Sequence, residues 1–227
     1  MFHKVARFVA TRGWYEFAVE LLTRSRTAVR SVFLARVFGA KGLSIGPRSY
    51  IRGAKFIRFE TGVHAGDGFW LEAVSRIYDQ HFSPQILIGS NVSFGHWTHI
   101  AATNYVEIGA NALIGSKVHI TDHNHGQYGG DLQSDPNEIP LLRRIDGDKR
   151  TIVGANVWLG DGVVVCPGVT IGEGCVIGAN SVVTRSIPPR TVAYGAPALP
   201  RKTFDLELRQ WISVDNSREY ASIPEVT

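Results

Sequence analysis

The residues best suited to chemistry in this 227-residue chain are clustered in Ile120-Thr121-Asp122-His123-Asn124-His125, with His119 just before them. An imidazole that titrates near pH 7 can take a proton from a weak nucleophile and return it to a leaving group. His123 and His125 are therefore rival general bases. Asp122 adjoins His123, but neighbours in an extended chain point to opposite sides, which argues against it as the orienter. The spacing His119-x3-His123-x-His125 also invites a metal, and zinc needs three or four ligands converging at about 2 Å. Two of the three histidines crowd into one loop entry, so no metal site is expected. Residues 124–150 then hold several Gly and Pro and the basic pairs Arg143–Arg144 and Lys149–Arg150. Loops of this length without structure of their own are uncommon and often functional.

Something must hold these residues in place, and the sequence names it. An aliphatic residue returns every sixth position at Val153, Leu159, Val165, Ile171, Ile177 and Val183. Four residues after each comes a second inward candidate: Val157, Val163, Val169, Cys175, Ser181 and Ile187. Neither a helical nor a strand period gives that spacing. Six-residue repeats are found among β-helix solenoids. The expected fold is an all-β solenoid, three short strands to a triangular coil, with Gly154, Gly160, Gly172, Gly178, Asn156 and Asn180 at corners where a positive φ is tolerated. A less regular set runs through Ile45, Ile51, Ile57 and Val63, and residues 69–87 interrupt it as a looped coil. The frame returns at Ile88, Phe94 and Ile100, slips by two near Val106, and resumes at Ile108, Ile114 and Ile120. One coil back from His123, across the slip, lie Thr103 and Asn104. Asn104 is read as a contact for the acceptor or the imidazole, or as a left-handed corner.

The ends differ from this body. Residues 1–38 carry seven Lys/Arg against Glu16 and Glu20, a local +5, whereas the whole chain is +4. Phe2, Val5, Phe8, Val9, Phe17, Leu21 and Leu22 recur at helical spacing. No apolar run reaches the roughly 20 residues of a membrane span, and the arginines spoil a signal peptide. A basic amphipathic helix can lie on an anionic membrane, or the segment can cap the solenoid. The charge favours peripheral association at the inner face of the plasma membrane. The domains expected are 1–38, this helical segment; 39–200, the β-helix with its extruded loop 124–150; and 201–227, a helix at Phe204–Ile212 and a tail. Charged residues at 19% and hydrophobic ones at 44% exclude disordered and membrane-spanning classes. Cys166 and Cys175 are placed not to pair, which fits a reducing cytosol.

Three segments carry a family resemblance: HIAATNYVEIGANALIGSKVHITDHNHG, then GANVWLGDGVVVCPGVTIGEGCVIGANSVVTRSIPP, then YGAPA. From about Ile88 to Lys202 the chain resembles the hexapeptide acyltransferases, in particular the maltose/galactoside acetyltransferase group and its lipopolysaccharide O-acetyltransferase branch. The resemblance implies a left-handed parallel β-helix assembled as a homotrimer, with sites in grooves between subunits and acetyl-coenzyme A as donor. It implies His123 as general base for a sugar hydroxyl, the sugar being nucleotide-, lipid- or polymer-linked. Direct transfer without an acyl-enzyme is the simpler mechanism, and His125 and Asn104 are expected beside the acceptor. By the same resemblance Trp158 and Gly160 line the pantetheine groove, and Gly178 and Ala179 meet the amides of the arm. Thr184 and Arg185, with Lys202, lie near the nucleotide end. Where the family carries a cation after the Gly-x-Pro-Ala turn this chain has Leu199, for which Arg201 can substitute. The competing readings are an amino-sugar N-acetyltransferase, a γ-class carbonic anhydrase-like zinc enzyme and a non-catalytic scaffold.

Overall fold

The computed structural model describes residues 14–15, 18–19, 25 and 27–214. The recurring aliphatic residues stand in three columns, one per sheet. In the first sheet Ile45, Ala65, Phe94, Ile114, Leu159, Ile177 and Ala193 pair in parallel, each with its counterpart one coil on. In the second, Ile51, Leu71, Ile100, Ile120, Val165 and Val183 do the same. In the third the column is Phe59, Ile88, Ile108, Val153, Ile171 and Ile187. Successive strands visit the three sheets in turn, so the chain is a parallel β-helix around one apolar core. Every column member is buried except Ile51, which is partly so. The second inward set, Val157, Val163, Val169, Cys175, Ser181 and Ile187, is buried as well.

The corner glycines have a different reason from the one expected. Gly154, Gly160, Gly172 and Gly178 are absent from the positive-φ residues, which here are Asn156, Gly162, Gly168, Gly174 and Asn180. At Gly160 a Cβ would lie 2.6 Å from the Ala179 amide nitrogen. Close stacking of one coil on the next, not backbone handedness, excludes a side chain there. The asparagines use their left-handed corners to make a ladder: Asn91 Nδ2 donates to Asn111 Oδ1 and Asn111 Nδ2 to Asn156 Oδ1, each at 3.2 Å.

Two insertions leave the frame. Residues 69–87 contain a hairpin, Arg76–Ile77 against Gln80–His81, turning at Tyr78 with φ 51°. The long loop is pinned at its root by Asn124–His125 running antiparallel to Ile145–Asp146. The two-residue slip is the corner Thr103–Asn104, between the four-residue strands His99–Ala102 and Tyr105–Ile108.

Both ends of the described solenoid are covered. Residues 27–38 are helical, and Leu34, Ala35 and Phe38 pack on the core. Arg30 donates to the carbonyls of Gly46 (3.3 Å) and Ser49 (2.7 Å). The apolar series Phe2 to Leu22 lies outside the described residues. At the other end the expected helix Phe204–Ile212 is instead a pair of strands, Ala198–Asp205 and Gln210–Ser213, extending the first sheet. Phe204 opposes Trp211 with ring centroids 5.3 Å apart, and Asp205 caps the turn by accepting from the amides of Glu207 and Leu208 at 2.8 Å. The helix formers Leu206, Glu207 and Leu208 are too few to resist pairing with an open sheet edge.

Candidate active site

The site starts from a backbone problem. At the slipped corner the amides of Thr103, Asn104 and Tyr105 converge and need an acceptor. Asp122 supplies it from one coil on. Its buried carboxylate accepts from Thr103 N (2.9 and 3.1 Å), Asn104 N (2.8 Å) and Tyr105 N (2.7 Å). It also lies 2.8 Å from His123 Nδ1. Asp122 therefore does orient His123, against the sequence expectation. The chain bends at Asp122, so the two side chains are not on opposite sides of a straight strand. A carboxylate held by amides is an acceptor, so Nδ1 carries the proton and Nε2 keeps its lone pair. Thr121 Oγ1 stands 3.2 Å from Nδ1. Thr151 Oγ1, buried where the loop rejoins the solenoid, donates to the Thr121 carbonyl at 2.9 Å and holds the strand end.

Asn104 also has a part in holding the loop. Its Nδ2 donates to the carbonyls of Asp148 and Lys149, both at 3.0 Å, and fastens the loop's return end. It has no positive φ. The hairpin reinforces this root: Gln80 Oε1 accepts from Ile145 N at 2.9 Å, and Arg144 lies 3.8 Å from Asp79. His125 sits exposed on the root strand, with its carbonyl accepting from the Tyr128 hydroxyl, and makes no hydrogen bond to His123.

On the outer face of the second sheet Tyr50, Trp70, His99 and His119 occupy one register. Trp70 and His99 stack at 4.3 Å between centroids, and His99 and His119 are 4.9 Å apart. Burial, with the like charges of His99 and His123, lowers the His119 pKa to about 4. Burial also lowers that of His99, against the opposing pull of Glu72 at 3.5 Å. Both rings are thus neutral near pH 7. The described residues include no group of three or more His, Cys, Asp or Glu placed to hold a metal ion.

The residues expected at the donor fall into two groups. Trp158, half exposed, stands in the first sheet between Leu113 and Val176. Gly160, Gly178 and Ala179 continue from it around the corner into the second sheet, with Gly160 N donating to the Ile177 carbonyl at 2.8 Å. Lys202 pairs with Val192, further along that first sheet. Thr184 and Arg185 instead follow Val182–Val183 at the far edge of the second sheet, the edge that carries His123. Arg201 lies over the Tyr194 ring at 5.2 Å. Sequence reading missed the carboxylate cradle, the Gln80 brace and the ring column. The column was hidden because the hairpin sets His99 29 positions after Trp70, where Trp70 comes 20 positions after Tyr50.

The model of the bacterial transferase hexapeptide, six repeats, matches residues 150–185. The chain is 41% identical over 184 residues to a protein of Escherichia coli (strain K12) provisionally named lipopolysaccharide biosynthesis O-acetyl transferase WbbJ, covering 81% of this chain and 90% of that one. It is 33% identical to the galactoside O-acetyltransferase of Lactococcus lactis over 55% of this chain and 53% of that one. Its fold is similar to that of AntD, an N-acyltransferase from Bacillus cereus, in complex with dTDP and 3-hydroxybutyryl-CoA. There the TM-score is 0.58 at 18% identity, over 74% of this chain and 84% of that one.

Proposed function

Given that the chain belongs to the hexapeptide-repeat acyltransferases, we propose that it moves acetyl from acetyl-coenzyme A to a hydroxyl of a carbohydrate precursor of lipopolysaccharide or another cell-surface polysaccharide. The observation that carries this reading is the pair Asp122–His123: Nδ1 is tied to a buried carboxylate at 2.8 Å, and Nε2 is left to accept a proton. A sugar hydroxyl is too weak a nucleophile to attack a thioester unaided near neutral pH. In direct transfer its proton passes to Nε2 as the oxygen–carbonyl bond forms. The carbon–sulfur bond then breaks, and the imidazolium protonates the departing thiolate. Asp122 stabilises the imidazolium without taking its proton.

In this reading the helix is left-handed and works as a homotrimer. The division of the donor residues supports that assembly: Trp158 stands in the first sheet with Gly160 and Gly178 at the corner leading into the second, whereas His123 follows the C-terminal end of a second-sheet strand. A groove that joins the two places can draw the donor strip from one subunit and the base from its neighbour. The names of the relatives, one for lipopolysaccharide biosynthesis and one for galactoside acetylation, support a sugar acceptor. Residues 1–38 would add peripheral attachment to an anionic membrane, which suits a lipid-linked acceptor; no described helix is long and apolar enough to cross one.

The test is His123→Ala. Acetyl transfer should fall by about 10²–10⁴-fold, the contribution of a positioned general base, with the oligomer intact by light scattering. An amine acceptor, already nucleophilic once deprotonated, would make the loss much smaller and turn the reading toward N-acetylation. Near-normal turnover with loss in His125→Ala would move the base to His125.

A further inference from the structure

One edge of the solenoid carries a residue that its fold does not call for. Six successive corners between the first and second sheets put their third residue in the left-handed region: Arg48, Gly68, Trp97, Lys117, Gly162 and Asn180, with φ between 56° and 69°. Gly and Asn take that conformation at little cost, whereas a bulky aromatic residue there is an outlier. Trp97 gains little from the core in return, being 48% exposed. It is nevertheless held firmly. A Cβ on Gly68 would overlap the indole, so the ring uses the space that the missing side chain leaves. The Arg48 guanidinium lies over the ring, 5.0 Å from its centroid. Arg48 is itself paired with Asp67, its Nε donating to Oδ1 at 3.1 Å. The Asp67 amide donates to His96 Nδ1 at 3.0 Å, so the exposed His96 ring carries its proton on Nε2 as a donor. A fixed aromatic surface, an N–H donor and a charge pair that cancels itself suit a neutral ring rich in oxygen, and not a diphosphate.

Gly160, Gly178 and Ala179 belong to the same run of corners, and Trp97 stands on the other side of the base from them. His123 follows His119–Thr121, the strand that leaves the corner at Lys117. Gly160 and Gly178 lie one and two coils beyond that corner, and Trp97 lies one coil before it, about 4.8 Å along the solenoid. In a three-fold assembly of parallel solenoids, equal coils face one another. The donor then meets His123 of the partner subunit from one side, with Trp97 on the other. The groove has to stay open here, because donor and acceptor must both reach the base.

We propose that Trp97 is the platform on which the acceptor sugar lies, its ring fixed by Gly68 and Arg48, with His96 Nε2 donating to a sugar oxygen. The inference rests on the carbohydrate acceptor and the trimer of the reading above, and adds to them a residue that selects an uncharged sugar.

The experiment titrates full-length protein by NMR with the methyl glycosides of galactose, glucose and rhamnose, and measures acetyl transfer to each at saturating acetyl-coenzyme A. Trp97→Asn places at this corner the residue type found at Asn180. It should weaken binding of the glycoside that the wild type prefers, and raise its KM, by about tenfold, the scale of an aromatic contact. Melting temperature should hold or rise, and the Kd of acetyl-coenzyme A should stay the same. Trp97→Phe should return part of the loss. A wild type that binds no glycoside overturns the platform. A fall in melting temperature, or loss of the oligomer by light scattering, overturns it by making the ring a structural or interface residue. Uridine diphosphate bound through Trp97 without a sugar overturns it by making the ring a base platform. Trp97-dependent glycoside binding without acetyl transfer upholds the platform and overturns the transfer reading, whereas transfer with an unchanged KM in Trp97→Asn does the reverse.

Discussion

At the scale of residues, the centre of this molecule is one carboxylate that answers a structural demand and a chemical one together. Asp122 satisfies the three amides of the slipped corner and then fixes the proton of His123. Asp122→Asn keeps the size but gives the imidazole no fixed acceptor for its proton. Turnover should fall on the order of 10²-fold or more as the tautomer is lost, and stability by about 1–3 kcal/mol, since buried amides lose a charged partner. Acetyl-transfer rates together with thermal unfolding check both; a variant with normal turnover would leave Asp122 a purely structural group. His119 gives a second handle. Its pKa falls from 6.5 to about 4 in the fold, chiefly through burial. The unfolded chain therefore takes up a proton first on acidification. The stability contributed by neutral His119 is whole above about pH 6.5 and is lost progressively as the pH falls toward 4. His119→Gln should flatten the decline of melting temperature across that window relative to the wild type. Identical slopes would mean that the ring is not held neutral by its surroundings.

At the scale of elements, what could be read from the sequence was what repeats. The six-residue register of Val153 to Ile187 passes directly into buried columns, because each coil meets the same environment as the last. The place where the repeat stops, at Asp122 to His125, was also legible, whereas the choice of His123 there came from the family resemblance. What could not be read depends on contacts between elements far apart in sequence. Gln80 and Ile145 meet across 65 residues through two insertions that share no period. Asp122 was judged from a local rule about extended chains that the bend breaks. The segment Phe204–Ile212 has a local helical preference, but an open sheet edge lies beside it and outcompetes that preference. The expected donor contacts belong at this scale too. Trp158→Ala and Arg185→Ala should each weaken acetyl-coenzyme A binding, the latter more at low salt, because ions screen an exposed phosphate contact. Calorimetry at two ionic strengths reads this. Unchanged affinity in both variants would take coenzyme A off these coils altogether.

At the scale of the whole molecule, a solenoid must close both ends of its core, and the two closures differ in chemistry. The far end extends its own sheet with Ala198–Asp205 and Gln210–Ser213. The near end uses the helix 27–38, which has more apolar surface than a cap requires. Leu34, Ala35 and Phe38 face the first coil, whereas Val29, Val32, Phe33 and Val37 are 54–74% exposed along the opposite stripe. Cap and membrane contact are thus compatible on one helix, one stripe to each. Arg30 is committed to the cap through Gly46 and Ser49; Arg36 is exposed, and the other five basic residues of 1–38 lie outside the described residues. Each Lys or Arg near an anionic bilayer contributes about 1 kcal/mol, and a trimer would present three copies at once. Full-length protein should therefore sediment with anionic vesicles, with added salt releasing part of it. Phe33→Asp should weaken the binding, because a charge replaces apolar surface at the headgroup boundary. Deleting residues 1–26 keeps Ser31, Leu34 and Phe38 on the first coil, so that variant should stay soluble while losing vesicle binding. Removing 27–38 as well uncovers Leu43, Ile45 and Phe59, which are buried at that end, and should cause aggregation. Full-length protein that ignores anionic vesicles at low salt would reduce the segment to a cap and leave its +5 charge without a role in binding.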